Sequence, residues 1–139
     1  MKIITENITL TTQGFNDMHD ITEEVSRLLV DHEFSNGMVT IFVPGSTGGL
    51  TTIEFEPGLE QDFAEFMERI IPSDVIHHHD ARWGDGNGFS HVRASLLGPS
   101  LSIPFKDGSL TLGTWQQIVF LDFDNRSRAR NLVLQFMGE

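Results

Sequence analysis

With 139 residues, nine Lys and Arg against twenty Asp and Glu, a net charge of -11 and a pI near 4.8, the chain is the size of one domain. It is too acidic for a nucleic-acid backbone or an anionic membrane to be its general partner. It has no cysteine, which excludes disulfides and thiolate metal sites and leaves imidazole, carboxylate and carbonyl groups as the only metal ligands. The first residues, Met1 to Asn7, lack the apolar core of a signal peptide, and no apolar run reaches bilayer length, so a cytoplasmic protein is expected.

Ile4 to Thr12 alternates at Ile4, Ile8 and Leu10 with threonines between, the pattern of a half-buried strand. Asp20 then occupies an N-cap position with Glu23 three residues on, and Ile21, Val25, Leu28 and Leu29 share one face, which predicts a helix from Ile21 to His32. Met38 to Val43 is almost wholly apolar and predicts a strand covered on both faces. The polar loop Pro44 to Gly49 joins it to a further strand, Leu50 to Phe55. Its free N–H groups and the hydroxyls of Ser46 and Thr47 suit an anion, though the spacing matches no nucleotide-binding fingerprint and a plain hairpin connection would serve equally.

Pro57-Gly58 opens a second helix whose stripe of Leu59, Phe63, Phe66, Met67 and Ile70 reads as core, and Pro72 closes it. Val75-Ile76 lead into three histidines; as a strand end, this would put His77 and His79 on one face. Ser90 to Leu97 reads as a short helix capped by Asn87 or Ser90, with Val92 and Leu96 on its buried side. Strands follow over Ser100 to Phe105, Leu110 to Leu112, Trp115 to Phe123 and Asn131 to Phe136, separated by turn residues. The sum is an α+β fold, a mainly antiparallel β-sandwich with two main helices and one short helix, in a single domain spanning residues 1–139.

Chemistry concentrates between His77 and His91, where four of the six histidines, two aspartates and three glycines lie together. Imidazole is the commonest metal ligand and the side chain that titrates near neutrality. His79 and His91, with His77 or Asp85 as a third donor, would suit zinc or a related divalent ion. The same rings would equally serve a polar rim that hydrogen-bonds phosphate without metal. Glu54, Asp80, Asp85 and Asp122 are the candidates for acid–base work, and twenty acidic residues make a solvated role the ordinary alternative for each. Ser46 and Ser90 lack the pattern of a nucleophile elbow. Trp115 is either a lid or interface residue or a buried sheet tryptophan.

His79-Asp80, Asn87-Gly88-Phe89-Ser90-His91 followed by Leu97-Gly98, Gly108, Gly113-Thr114-Trp115-Gln116 and the final Gly138-Glu139 occur in an order that resembles the YjbQ-like family, often named secondary thiamine-phosphate synthases. The resemblance implies a compact homotrimer that joins a hydroxymethylpyrimidine diphosphate to a thiazole phosphate and releases diphosphate. It implies that His79 and His91 bind metal (zinc or magnesium) or phosphate, that Arg93 pairs with phosphate, and that Asp85 and Asp122 act as acid–base or cation-holding groups. Glu54 joins them as a catalytic candidate, His77 as a metal ligand, and Ser46, Thr47, Asn87, Trp115 and Gln116 as contacts to a small phosphorylated substrate. Many members carry His-Thr-Ser-Ala where this chain has Gly45-Ser46-Thr47-Gly48, so no role of that histidine transfers. A non-catalytic binder of a phosphorylated metabolite or metal, and a metal-dependent hydrolase, remain the alternatives.

Overall fold

In a computed structural model describing residues 1–139, the order is β1 (Lys2–Thr12), β2 (Asp17–Asp20), α1 (Thr22–Asp31), β3 (Gly37–Phe42), β4 (Gly48–Ile53), α2 (Pro57–Ile70), α3 (His78–Trp83), α4 (Gly88–Leu97), β5 (Ser100–Lys106), β6 (Ser109–Leu110), β7 (Gln117–Asp122) and β8 (Arg128–Gly138). Every pairing is antiparallel. The strands form a five-stranded sheet, β1-β8-β3-β5-β6, and a three-stranded sheet, β2-β7-β4. This is the α+β sandwich the sequence implied. No helix is long and apolar enough to cross a membrane.

One core lies between the sheets, where Ile8, Val39, Ile41, Ile103, Leu132, Leu134 and Phe136 of the larger sheet meet Leu50, Ile118 and Phe120 of the smaller, with α1 closing one side through Val25, Leu28 and Leu29. A second, smaller core lies on the other side of the three-stranded sheet, where Val119, Leu121 and Phe123 pack with Met67 and Ile71 from the α2 region and Phe89 and Ala94 of α4. Strand alternation sends Ile118 and Phe120 to one core and Val119 and Leu121 to the other, so β7 is the strand covered on both faces. The sequence assigned that property to β3. There Val39 and Ile41 are buried, but Met38 and Phe42 are about two-fifths exposed, because no layer covers the outer face of the larger sheet at that point.

Other differences have local causes. Strand β2 is polar, Asp-Met-His-Asp, and carries no apolar alternation to announce it; its pairing with β7 makes it a strand. Helix α1 begins one residue later than expected. Ile21 is its cap, while Asp20 Oδ1 accepts hydrogen bonds from the Thr22 N–H (2.9 Å) and hydroxyl (2.6 Å), the task expected of an N-cap carboxylate. In α2 only Met67 of the predicted stripe is buried; Phe63 is half-buried against Phe123 (ring centroids 6.5 Å apart), and Phe66 and Ile70 face outward.

Helix α4 is ten residues long, and it turns Phe89, Ser90, Arg93 and Ala94 inward rather than Val92 and Leu96. Arg93 explains the rotation. It is 1% exposed, and its guanidinium donates to the Ile71 carbonyl, to Asn16 Oδ1 (3.0 Å) and to Glu68 Oε2 (2.8 Å), so a polar residue satisfies its hydrogen bonds inside the wall. The tryptophan alternative of a buried sheet position is overturned as well: β7 begins at Gln117, and Trp115 is 73% exposed.

Candidate functional site

The histidine run folds as a helix rather than as a strand end. Asp80 is the reason: its Oδ2 accepts the His77 N–H (2.9 Å) at the start of α3, and its Oδ1 accepts the Gly88 N–H (2.8 Å) at the start of α4. One carboxylate thus ties the first turns of two helices together. Those two N–H groups hold the Asp80 carboxyl below its ordinary value, against a smaller opposing effect of burial. Between the helices, Gly84 (φ 73°) and Gly86 (φ 67°) adopt the left-handed backbone that reverses the chain on either side of Asp85.

This reversal helps form a cavity of about 530 Å³. The β3–β4 loop contributes Gly45, Ser46 and Thr47. His79 and Trp83 come from α3, Asp85 and Asn87 from the loop after it, His91 from α4, and Arg128 and Arg130 from the start of β8. Residues 128 and 130 are two apart on one strand and therefore share a face.

Two carboxylates buried behind the cavity fix these arginines. Arg130 meets Asp122 in a bidentate pair, Nε to Oδ2 at 2.7 Å and Nη2 to Oδ1 at 2.9 Å, and Asp122 also accepts from the Thr12 hydroxyl (2.6 Å) and the Asp124 N–H (3.0 Å). Arg128 donates from Nε (2.9 Å) and Nη2 (2.6 Å) to Asp124 Oδ2, while Asp124 Oδ1 accepts from Asn87 Nδ2 (3.2 Å) and the Asn125 N–H (2.8 Å). Thr47 links the two pairs, its hydroxyl accepting from Arg130 Nη2 (2.6 Å) and donating to Asp124 Oδ2 (3.2 Å). The Nη1 groups of both arginines make no hydrogen bond within the chain.

Neither aspartate is exposed. Burial opposes the charged form of each. For Asp124, hydrogen bonds from the Asn125 N–H, Arg128 and Asn87 outweigh it and bring the carboxyl to about 2. For Asp122, the bonds from Arg130, Thr12 and the Asp124 N–H likewise hold the carboxyl below the usual range. Both are anions that orient arginines.

On the opposite side, the His79 and His91 rings lie 4.4 Å apart between centroids. His79 Nδ1 is buried without a hydrogen-bond partner and stands 3.4 Å from Asp85 Oδ1 and 4.0 Å from Asp80 Oδ1. The ligand atoms of His79, Asp80 and Asp85 all fall within 4.8 Å of one another, a donor set able to hold a cation. Asn87 Oδ1 is the second buried polar atom with no partner. Native interiors leave few such groups unpaired, and both belong to residues that line the cavity.

The cavity brings together Ser46, Thr47, His79, Asp85, Asn87 and His91 of the residues the sequence singled out. Asp122 stands behind it, and its ion pair and hydrogen bonds engage it fully, which corrects the acid–base assignment. The others lie elsewhere. His77 caps α3, and its Nε2 lies 3.1 Å from the Pro72 carbonyl; Arg93 is the wall residue described above. Glu54 is exposed just past β4, while Trp115 and Gln116 belong to the β6–β7 connection, where Gln116 bonds Thr52 and the Gly113 N–H. Ser90 is buried with its hydroxyl on the Asn87 carbonyl (2.5 Å).

Arg128, Arg130 and Asp124 were missed because they read as turn charges. The available signal was the spacing Arg128-x-Arg130, which alternation places on one face, with Asp122 and Asp124 a short turn before it.

Fold and site together define a small antiparallel α+β sandwich with an arginine-and-histidine pocket where its two sheets meet α3 and α4. The chain belongs to the UPF0047 protein YjbQ-like family, whose model matches residues 6–139. It is 39% identical over 126 residues to a UPF0047 protein of Archaeoglobus fulgidus, covering 91% of this chain and 96% of that one. It is 31% identical over 134 residues to the UPF0047 protein YugU of Bacillus subtilis, covering 96% and 98%. Among solved structures it resembles a YbjQ-like protein of unknown function from Sulfolobus solfataricus P2, with a TM-score of 0.93, 28% identity and 99% of both chains covered. A hypothetical protein from Aeropyrum pernix K1 gives a TM-score of 0.90 at 31% identity, over 98% of this chain and 99% of that one.

Proposed function

We propose that the pocket binds the phosphate or diphosphate of a small molecule and acts on it as a transferase of the thiamine-phosphate synthase type, joining a hydroxymethylpyrimidine diphosphate to a thiazole phosphate. The observation that carries the reading is the pair of guanidiniums, Arg128 and Arg130, oriented by buried carboxylates with both Nη1 groups unused at a cavity faced by two histidines. Planar, fixed guanidiniums suit the oxygens of a phosphate, and a departing diphosphate needs its charge stabilised.

His79, Asp80 and Asp85, whose ligand atoms converge, are the donors that would hold a divalent ion, with the His91 ring beside them, and the partnerless His79 Nδ1 fits this role. Imidazole donors match zinc better than magnesium, which prefers an all-oxygen shell. Such an ion, when bound, supplies further neutralisation of a leaving diphosphate. The residues themselves would orient the anion through Arg128, Arg130 and the Asn87–Thr47 network, and His91, on the cavity wall, would exchange a proton with the bound group.

One observation favours a non-catalytic binder as the second reading. The carboxylates nearest the arginines are locked in ion pairs, which leaves Asp85 and the histidines as the only acid–base groups at the cavity. A homotrimer is also proposed, supported by the exposed apolar side chains Val75, Ile76, Val92 and Leu96 on and beside α3 and α4; light scattering on the purified protein tests it.

Calorimetric titration of inorganic phosphate and pyrophosphate into wild type, Arg128→Met and His79→Ala, with metal content measured by elemental mass spectrometry, tests binding. Incubation with the pyrimidine diphosphate and the thiazole phosphate, with thiamine phosphate read by chromatography, tests turnover. Binding that Arg128→Met weakens, together with product formation, supports the transferase; binding without product leaves the sequestering role. No binding of either anion refutes both.

A further inference from the structure

A second, smaller cavity of about 210 Å³ adjoins the first, and Gly45, Ser46 and His91 line both. Its remaining wall includes Ala94, Ser95 and Pro99. Gly45 stands at the join. Its φ lies outside the left-handed region, so nothing in the backbone demands a glycine there. What its missing side chain leaves is space: a Cβ at this position would come 3.3 Å from Arg130 Nη1, the guanidinium nitrogen that makes no bond within the chain.

We propose that Gly45 keeps the two cavities continuous, and that the smaller one receives the organic part of a phosphomonoester whose phosphate lies on Arg128 and Arg130. This rests on the anion reading of the larger cavity. The chemistry of the annex narrows the ligand. No Lys, Arg, Asp or Glu lines it, and His91, shared with the larger cavity, is its one titratable residue, so the group it takes is uncharged, and its volume limits that group to a single ring or a short chain. Ala94 and Pro99 offer apolar contact. The Ser46 hydroxyl has no partner within the chain, while Ser95 Oγ donates to the His91 carbonyl (2.9 Å) and retains its capacity to accept.

The test uses calorimetry with three probes, inorganic phosphate, ribose 5-phosphate and hydroxyethylthiazole phosphate, on wild type, Gly45→Leu and Ser95→Leu. Ser95 is an exposed helix position on the far wall of the annex, so its variant fills the annex without touching Arg130 and stands in if Gly45→Leu folds poorly. The expected result is that at least one ester binds wild type more tightly than phosphate does. Ser95→Leu should then weaken that ester by about tenfold or more while phosphate changes by less than about threefold, and Gly45→Leu, whose side chain would meet Arg130 Nη1, should weaken both. Esters that bind no better than phosphate, or an ester affinity unchanged in Ser95→Leu, overturn the annex and leave the anion pocket standing. Wild type that binds neither phosphate nor ester overturns both.

Discussion

Replacing Asp122 with alanine isolates the ion pair on which the basic side of the pocket depends. The carboxylate is fully buried, and the Arg130 side chain is 11% exposed, so water has little access to replace what is lost. Three donors lose their acceptor at once: the Arg130 fork, the Thr12 hydroxyl and the Asp124 N–H. Breaking a buried pair from one side costs about 3–5 kcal/mol, because the remaining charge is left uncompensated. Domains of this kind hold only about 5–15 kcal/mol in total. At roughly 3–5 °C per kcal/mol for a chain of this length, the expected loss in Tm is about 9–25 °C by calorimetry or circular dichroism.

Asp122→Ala combined with Arg130→Met should cost less than the sum of the single changes by about 1–3 kcal/mol, since removing both partners leaves neither charge stranded. A single-variant loss below about 1 kcal/mol, or strict additivity in the cycle, would refute the claim that this pair is a desolvated unit.

Acidification should act on the same cluster. The folded-state carboxyls of Asp122 and Asp124 lie below their unfolded values, that of Asp124 at about 2, so their stabilisation is complete above the unfolded pKa of about 4 and is lost as pH falls through the folded value. Urea midpoints should therefore drop between about pH 4 and 2, and Asp124→Asn should flatten that drop; an unchanged slope would show that other carboxylates govern it. In α2, Met67→Ala should cost about 2–5 kcal/mol in urea unfolding, and Phe63→Ala, at a half-buried position, less than the roughly 3–5 kcal/mol that a core phenylalanine would lose. The reverse order would mean that the helix presents a different face.

The amino-acid pattern carried the parts of the fold that are decided by burial against an apolar layer. Ile4, Ile8 and Leu10 alternate as β1 does, and Val25, Leu28 and Leu29 mark the inner face of α1. Elements defined by polar partners far along the chain left no such trace. Helix α3 exists because Asp80 bonds the N–H groups of His77 and Gly88, and β2 exists because β7 offers it an edge. The site divides the same way. His79, Asp85 and His91 stood out by residue type, whereas Arg128 and Arg130 acquire meaning only when β7 brings Asp122 and the following turn brings Asp124 against them. Arg93 shows the converse, since the resemblance assigns it to phosphate whereas the Ile71 carbonyl, Asn16 and Glu68 claim its guanidinium.

Strand β8 imposes a constraint that neither core nor pocket would have alone. Its even-numbered residues run from Arg128 and Arg130 at the cavity to Leu132, Leu134 and Phe136 between the sheets, all on one face of a single strand zipped on both sides, to β1 and to β3. An inserted or deleted residue within it would turn the arginines away and expel the hydrophobic residues in the same event. Single substitutions can therefore change the side chains at positions 128 and 130, but the spacing and direction of those two positions hold for as long as the sandwich does.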